Sequence, residues 1–182
     1  QAKFDAIVER GEESGREVEE VVLGIISDVR KRGDEALLDY TRRFDRVECD
    51  AAGLEITEAE FAKAFAQVGE KDLAALKLAV ERVARYHEKQ KQQTWLCTEE
   101  ADIMLGQKVT PLAKVGIYVP GGKACYPSSV IMNAVPAKVA GVGEIIMVVP
   151  TPGNETNAHV LVAAKLAGVD RVFRIGGAQA VA

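Results

Sequence analysis

The sequence predicts an α/β protein in two parts. A helical section with one or two short strands covers residues 1–112, and a mainly parallel βαβαβ unit covers 113–182. Three observations carry this reading. Two apolar runs, Val115–Val119 and Ile145–Val149, each stop at a cluster of proline and glycine. Such runs suit strands covered on both faces. Stretches of helical period lie between and after them. Before residue 91 the apolar residues recur instead at spacings of three and four, with capping signals between the stripes.

Residues 1–13 are polar and carry little pattern. Ser14-x-x-Glu17 reads as a capping box. Val18, Val21, Val22, Ile25, Ile26 and Val29 then form one stripe, on a helix ending near Gly33. Asp34 is expected to cap a second helix, whose apolar residues run from Ala36 to Phe44. Thr57-x-x-Glu60 is a second capping box, followed by Phe61, Ala64, Phe65 and Val68. A longer helix is expected from about Lys71 to Gln90, with Leu73, Leu76, Val80 and Val83 on its inner face. Residues 91–113 read as one or two extended strands through Ile103, Leu105, Lys108 and Thr110, with Trp95 and Cys97 beneath them.

The second part opens with strand Val115–Val119 and a helix over 129–140, capped by Ser128 or Ser129. Strand Glu144–Val149 follows, then a helix over 155–167 and strand Val172–Ile175. Gly176-Gly177 closes that strand. Right-handed crossovers place the turns at 120–128 and 176–177 on the same carboxyl edge of the sheet, where open α/β sheets bind ligands.

Composition narrows the function classes. The chain has 182 residues, 48% apolar and 27% charged, with net charge −4. Acids and bases are interleaved, so no polybasic face suggests a nucleic-acid partner. No apolar run approaches the ~20 residues of a membrane span. Three cysteines in no Cys-x-x-Cys pair suit a reducing, cytoplasmic setting. His87 and His159 form no local zinc motif; His87 reads as a helix-end histidine.

The chemistry converges on the carboxyl edge. No Gly-x-Gly-x-x-Gly is present. The edge gathers Tyr118, the pair Gly121-Gly122, Ser128, Ser129 and Gln179. Tyr118 offers a flat face and a hydroxyl, and Gln179 an amide that donates and accepts. Read alone, Tyr118 is equally a core tyrosine, Gln179 a solvated helix residue, and the glycine pair a tight turn.

Gly116-Ile-Tyr-Val-Pro-Gly-Gly-Lys-Ala-Cys-Tyr-Pro-Ser-Ser-Val130 resembles the signature region of the histidinol dehydrogenases, with Cys125 where alanine is expected. Arg174-Ile-Gly-Gly-Ala-Gln-Ala-Val-Ala182 and Arg32-Gly-Asp-Glu-Ala-Leu-Leu-Asp-Tyr-Thr-Arg-Arg-Phe-Asp45 resemble two further blocks of that family, in the family's order. The resemblance implies a Rossmann-like, aldehyde-dehydrogenase-like half-domain over 113–182. It also implies NAD contacts at Tyr118 and Gln179, L-histidinol as substrate, a zinc ion, and a homodimer. The family's acid/base pair and zinc ligands follow the glutamine block and match no position here. The expectation is therefore an N-terminal portion, inactive alone. The final helix, with about five residues after Gly177 and no C-cap glycine, agrees with that.

Two other readings remain at this stage. One is a non-catalytic α/β module that binds a nucleotide or assembles with another subunit. The other is part of a different aldehyde-oxidising NAD enzyme, with Cys125 as nucleophile.

Overall fold

A computed structural model of the chain describes residues 2–99, 102–121 and 125–182, with side chains from Glu17 onward. Gly122 of the expected glycine pair lies outside the described residues.

Helix α1 runs over Ala2–Arg32 and α2 over Asp34–Asp45. The first helix begins well before the expected cap, so Ser14 lies inside it. Only the apolar stripe, not the helix, starts at Val18. Gly33 sits between the two helices at φ 59°, takes the N-cap position of α2, and leaves Asp34 as the first helical residue. There Asp34 and Glu35 face the positive end of the helix dipole rather than capping it. Arg32 ties the two helices together through Asp28, Glu35 and Asp39, at 2.8, 3.2 and 2.9 Å.

A short 3-10 turn, Ala52–Leu54, leads to α3 over Glu58–Gln67. Here the capping box is present in full. The Thr57 hydroxyl accepts from the Glu60 N–H, and the Glu60 carboxylate accepts from the Thr57 N–H at 2.9 Å. Helix α4, Glu70–Glu88, follows from Gly69. It packs on α5 and α6, defined below, through partly buried Leu73, Leu76, Val80 and Val83.

Strands β1 (Trp95–Cys97) and β2 (Leu105–Gln107) form an antiparallel hairpin. Trp95 and Cys97 are therefore in the partner strand itself, not beneath it. Trp95 is exposed. The expectation failed because Trp95-Leu-Cys is too short to show alternation.

The parallel sheet is formed by β3 (Lys114–Tyr118), β4 (Glu144–Val148) and β5 (Arg171–Phe173), in the order β3-β4-β5. The most apolar strand, β4, is central, and Ile145 and Met147 are wholly buried. Helix α5, Pro127–Ala140, joins β3 to β4, and α6, Ala158–Ala167, joins β4 to β5. Neither serine caps α5. Pro127, whose missing N–H costs nothing at a first position, starts the helix, so Ser128 and Ser129 fall in its first turn. The loop from β4 to α6 holds a 3-10 turn, Pro152–Asn154, so α6 begins three residues later than expected. Its cap is Asn157, whose side chain accepts from the Val160 N–H at 3.1 Å. The short α7, Gly177–Val181, follows β5.

The free edge of β5 is covered by the segment before α3. The Ile56 N–H donates to the Val172 carbonyl, and the Arg174 N–H donates to the Leu54 carbonyl, each at 2.8 Å. An unpaired edge invites association with other chains. Here the helical section covers it, and an Arg171–Glu55 ion pair borders the contact. Phe61 and Ala64 of α3, with Val68 just after it, join the core beneath the sheet.

Candidate functional site

Both glycine turns lie at the carboxyl edge of the sheet, as the crossovers require. Tyr118 ends β3 and is 39% exposed. Its hydroxyl accepts a hydrogen bond from the Gly177 N–H at 3.1 Å. That bond spans the end of the central strand and joins the first turn to the third. Gln179, two residues on, is only 3% exposed, and its Oε1 has no hydrogen-bond partner. It is thus not the solvated helix residue that its place in a short helix suggested. Buried amide oxygens are normally paired, which sets this one apart from the rest of the core.

The turns meet here because three residues allow it. Gly121 and Gly176 both approach Pro150, at the end of β4, so closely that a Cβ on either would collide with it. Gly177 adopts φ +65°, and a Cβ there would lie 2.5 Å from the Gln179 Oε1. A side chain at 177 would be strained by the backbone and would fill the space beside the Gln179 amide.

Next to this edge a cleft of about 580 Å³ opens between Gly121, Cys125 and the segment Pro150–Asn157. Thr151 lines it, is 2% exposed, and leaves its hydroxyl without a partner. Glu155 lines it too. Tyr118 and Gln179 do not line this cleft; they sit beside it over the strand ends. The sequence reading missed Thr151 because a threonine between two prolines reads as turn. Arg174 was missed as well, although an arginine within the apolar run Val172–Ile175, just past the end of β5, was a signal to follow. It is buried, and its guanidinium reaches Glu60 and Asn154 at 2.5 and 2.8 Å. Burial pushes the Glu60 carboxyl up, but the hydrogen bonds from Thr57 and Arg174 outweigh it and hold it below its ordinary range.

The other candidates stay apart. His87 bonds Gln90 at 2.6 Å, and His159 bonds Asp72 at 3.0 Å. No disulfide joins Cys49, Cys97 and Cys125. Among the described residues no group of three or more His, Cys, Asp or Glu could hold a metal ion. Among them also no helix is long and apolar enough to cross a membrane. The Tyr118 ring and hydroxyl and the Gln179 amide at this edge suit a polar ligand such as a nucleotide, and among the described residues no donor set suits a metal.

Comparison with known proteins follows the same blocks. The family model "Histidinol dehydrogenase" matches residues 8–182. The histidinol dehydrogenase of Geobacter sulfurreducens is 74% identical over 182 residues, covering all of this chain and 42% of that protein. Its counterpart from Geobacter metallireducens is 73% identical over 181 residues, covering 99% and 42%. The crystal structure of histidinol dehydrogenase from Elizabethkingia anophelis superposes with a TM-score of 0.82 at 28% identity. That superposition covers 90% of this chain and 38% of the other. The chain thus spans about two-fifths of the length of the relatives it matches.

Proposed function

The chain belongs to the histidinol dehydrogenase family, and from that premise we propose that it is the N-terminal part of an NAD-dependent, zinc-requiring enzyme oxidising L-histidinol to L-histidine. The single observation that supports an NAD site here is the Tyr118–Gly177 bond, which draws Tyr118 and Gln179 to one edge. When bound, NAD accepts the hydride that the alcohol and aldehyde carbons give up. The residues of this chain bind and orient it. Tyr118 offers its ring face to a flat group while its hydroxyl holds the third turn. Gln179 supplies an amide that can donate to or accept from the ligand. Gly121 and Gly177 let the two turns close on Pro150 and on Gln179.

Residues 113–182 form the NAD-binding portion in this reading. The acid/base pair and the zinc ligands come from the family's later residues. So do parts of the homodimer, and the enzyme works in the cytoplasm. Residues 1–182 alone should then form no NADH from L-histidinol, with or without added zinc. Zinc-dependent turnover by this piece would overturn the reading.

The test of the site is Gln179→Ala in the full-length enzyme. Losing one neutral hydrogen bond costs about 0.5–1.5 kcal/mol, so KM for NAD should rise roughly threefold to tenfold. KM for histidinol should hardly change. Unchanged NAD kinetics would remove Gln179 from the site.

A further inference from the structure

We propose that Arg174 is a positioning residue for the nucleotide site, pinning both walls of that site to helix α3 through Glu60 and Asn154. The inference rests on the NAD reading above but concerns a residue that contacts neither the cofactor nor the substrate in it.

Three separate segments meet on Arg174, two at its guanidinium and one at its backbone. Nη2 donates to Glu60 Oε1 at 2.5 Å, and Nη1 donates to Asn154 Oδ1 at 2.8 Å. The backbone N–H of Arg174 bonds Leu54. Glu60 is itself fixed, because its other oxygen accepts from both the N–H and the hydroxyl of Thr57 at 2.9 Å. The capping box of α3 is thus the anchor, and Arg174 is the pin. Arg174 is buried, and its ion pair is shielded from water on most sides. Charge-assisted bonds in such a setting hold geometry better than exposed ones.

What the pin holds is the wall of the cleft beside the Tyr118–Gln179 edge, and the turn that leads to that edge. Asn154 stands at φ +63° in the 3-10 turn that begins the β4–α6 loop. Glu155 and Thr156, the next two residues, line the 580 Å³ cleft on one side. On their other side they line a polar depression shared with Arg174 and Glu60. This loop is therefore a wall between the two hollows, and Arg174 braces it from behind. Three residues after Arg174 comes Gly177, whose N–H meets the Tyr118 hydroxyl, and then Gln179. One side chain therefore sets the loop after β4 and the turn after β5 together. A lysine at 174 keeps the charge but loses the planar fork that reaches two acceptors at once.

Two readouts test this in the full-length enzyme with Arg174→Lys. Amide hydrogen exchange in segments 150–157 and 175–179 should accelerate by about tenfold without any ligand, while exchange in β4 stays unchanged. The calorimetric dissociation constant for NAD should rise by about tenfold, with KM for histidinol within roughly twofold of the parent value. Unchanged exchange in both segments would overturn the proposal, as would faster exchange throughout the sheet. Asn154→Gly, which keeps the left-handed backbone and removes one acceptor, serves where Arg174→Lys does not fold. It should loosen segment 150–157 alone and weaken NAD about threefold; no change in either would equally overturn the proposal. Gln179→Ala, run beside them, separates the two claims. If it leaves NAD affinity unchanged, the site reading fails. If it weakens NAD while Arg174→Lys does not, only the positioning role fails.

Discussion

The parallel unit is richer in apolar residues than the helical section, and the two bury them very differently. Around β4 the core is closed, and Ile145, Met147, Leu161, Val130 and Val172 are almost wholly removed from water. In α1 the stripe that looks as regular as any in the chain leaves Val18 and Val21 more than half exposed, and of its residues only Ile25 is buried. Helix α4 lies between these cases, with a half-buried face against α5 and α6. The difference teaches that periodicity reports which face of a helix is apolar, not whether this chain covers it. A continuous apolar strand bounded by glycine and proline has less freedom, because a parallel strand is stable only when both faces are covered.

The largest effect should come from the closed core. Met147→Ala removes a fully buried side chain and should cost about 2–5 kcal/mol, read as a lower midpoint in urea unfolding. Leu76→Ala on α4 should cost about 1 kcal/mol, because only part of its surface leaves water. Val21→Ala should stay within about 0.5 kcal/mol. If Val21→Ala cost as much as Met147→Ala, the contrast drawn here between the two regions would collapse.

Asp45 and Asp28 sharpen the comparison through pH. Asp45 ends α2, is buried, and has an oxygen without a partner; burial pushes its carboxyl above the ordinary range. A raised acid binds its proton more tightly when folded, so stability falls as pH rises from the unfolded value through the folded one. Asp45→Asn should therefore raise the melting temperature at neutral pH and change little at pH 3. Equal effects at both values would show that the charge is not the cause. Asp28, near the end of α1, goes the other way. The Arg32 guanidinium holds its carboxyl down at about 2, against partial burial. Its stabilising effect is present above the unfolded value and fades as pH falls toward 2. In Arg32→Ala its NMR titration midpoint should return to about 3.9.

How far the sequence was legible follows from the same contrast. Strands β3 and β4 lay within a residue or two of their expected places, because proline and glycine end them sharply. The Thr57-Glu60 box was legible because both partners are local. Asp34 missed the cap by one residue and Ser128 and Ser129 by two and three, since Gly33 and Tyr126, with Pro127 after it, took the decisive positions. The start of α1 was missed although Phe4, Ile7 and Val8 recur at helical spacing, because the polar, glycine-containing run after them breaks the pattern. Trp95 and Cys97 lie in too short a strand to reveal their partner. Tyr118 and Gln179 were nominated through their blocks, and their common edge followed from the crossover rule. Arg174 and Thr151 were not found. The partners of Arg174 lie 20 and 114 residues away, and Thr151 matters only through the hydroxyl left unpaired beneath the cleft.

The central claim is that Tyr118 and Gln179 act on NAD as one unit, joined through Gly177. A double-mutant cycle in the full-length enzyme tests it most directly, with Tyr118→Phe, Gln179→Ala and the pair read as calorimetric dissociation constants for NAD. Removing the Tyr118 hydroxyl frees the turn that carries Gln179, so part of the second loss is already contained in the first. The account predicts that each single change weakens binding about threefold to tenfold. It also predicts that the double change costs less than the two together by at least about 0.5 kcal/mol. Strict additivity, or a Tyr118→Phe variant that binds NAD as well as the parent, would contradict it.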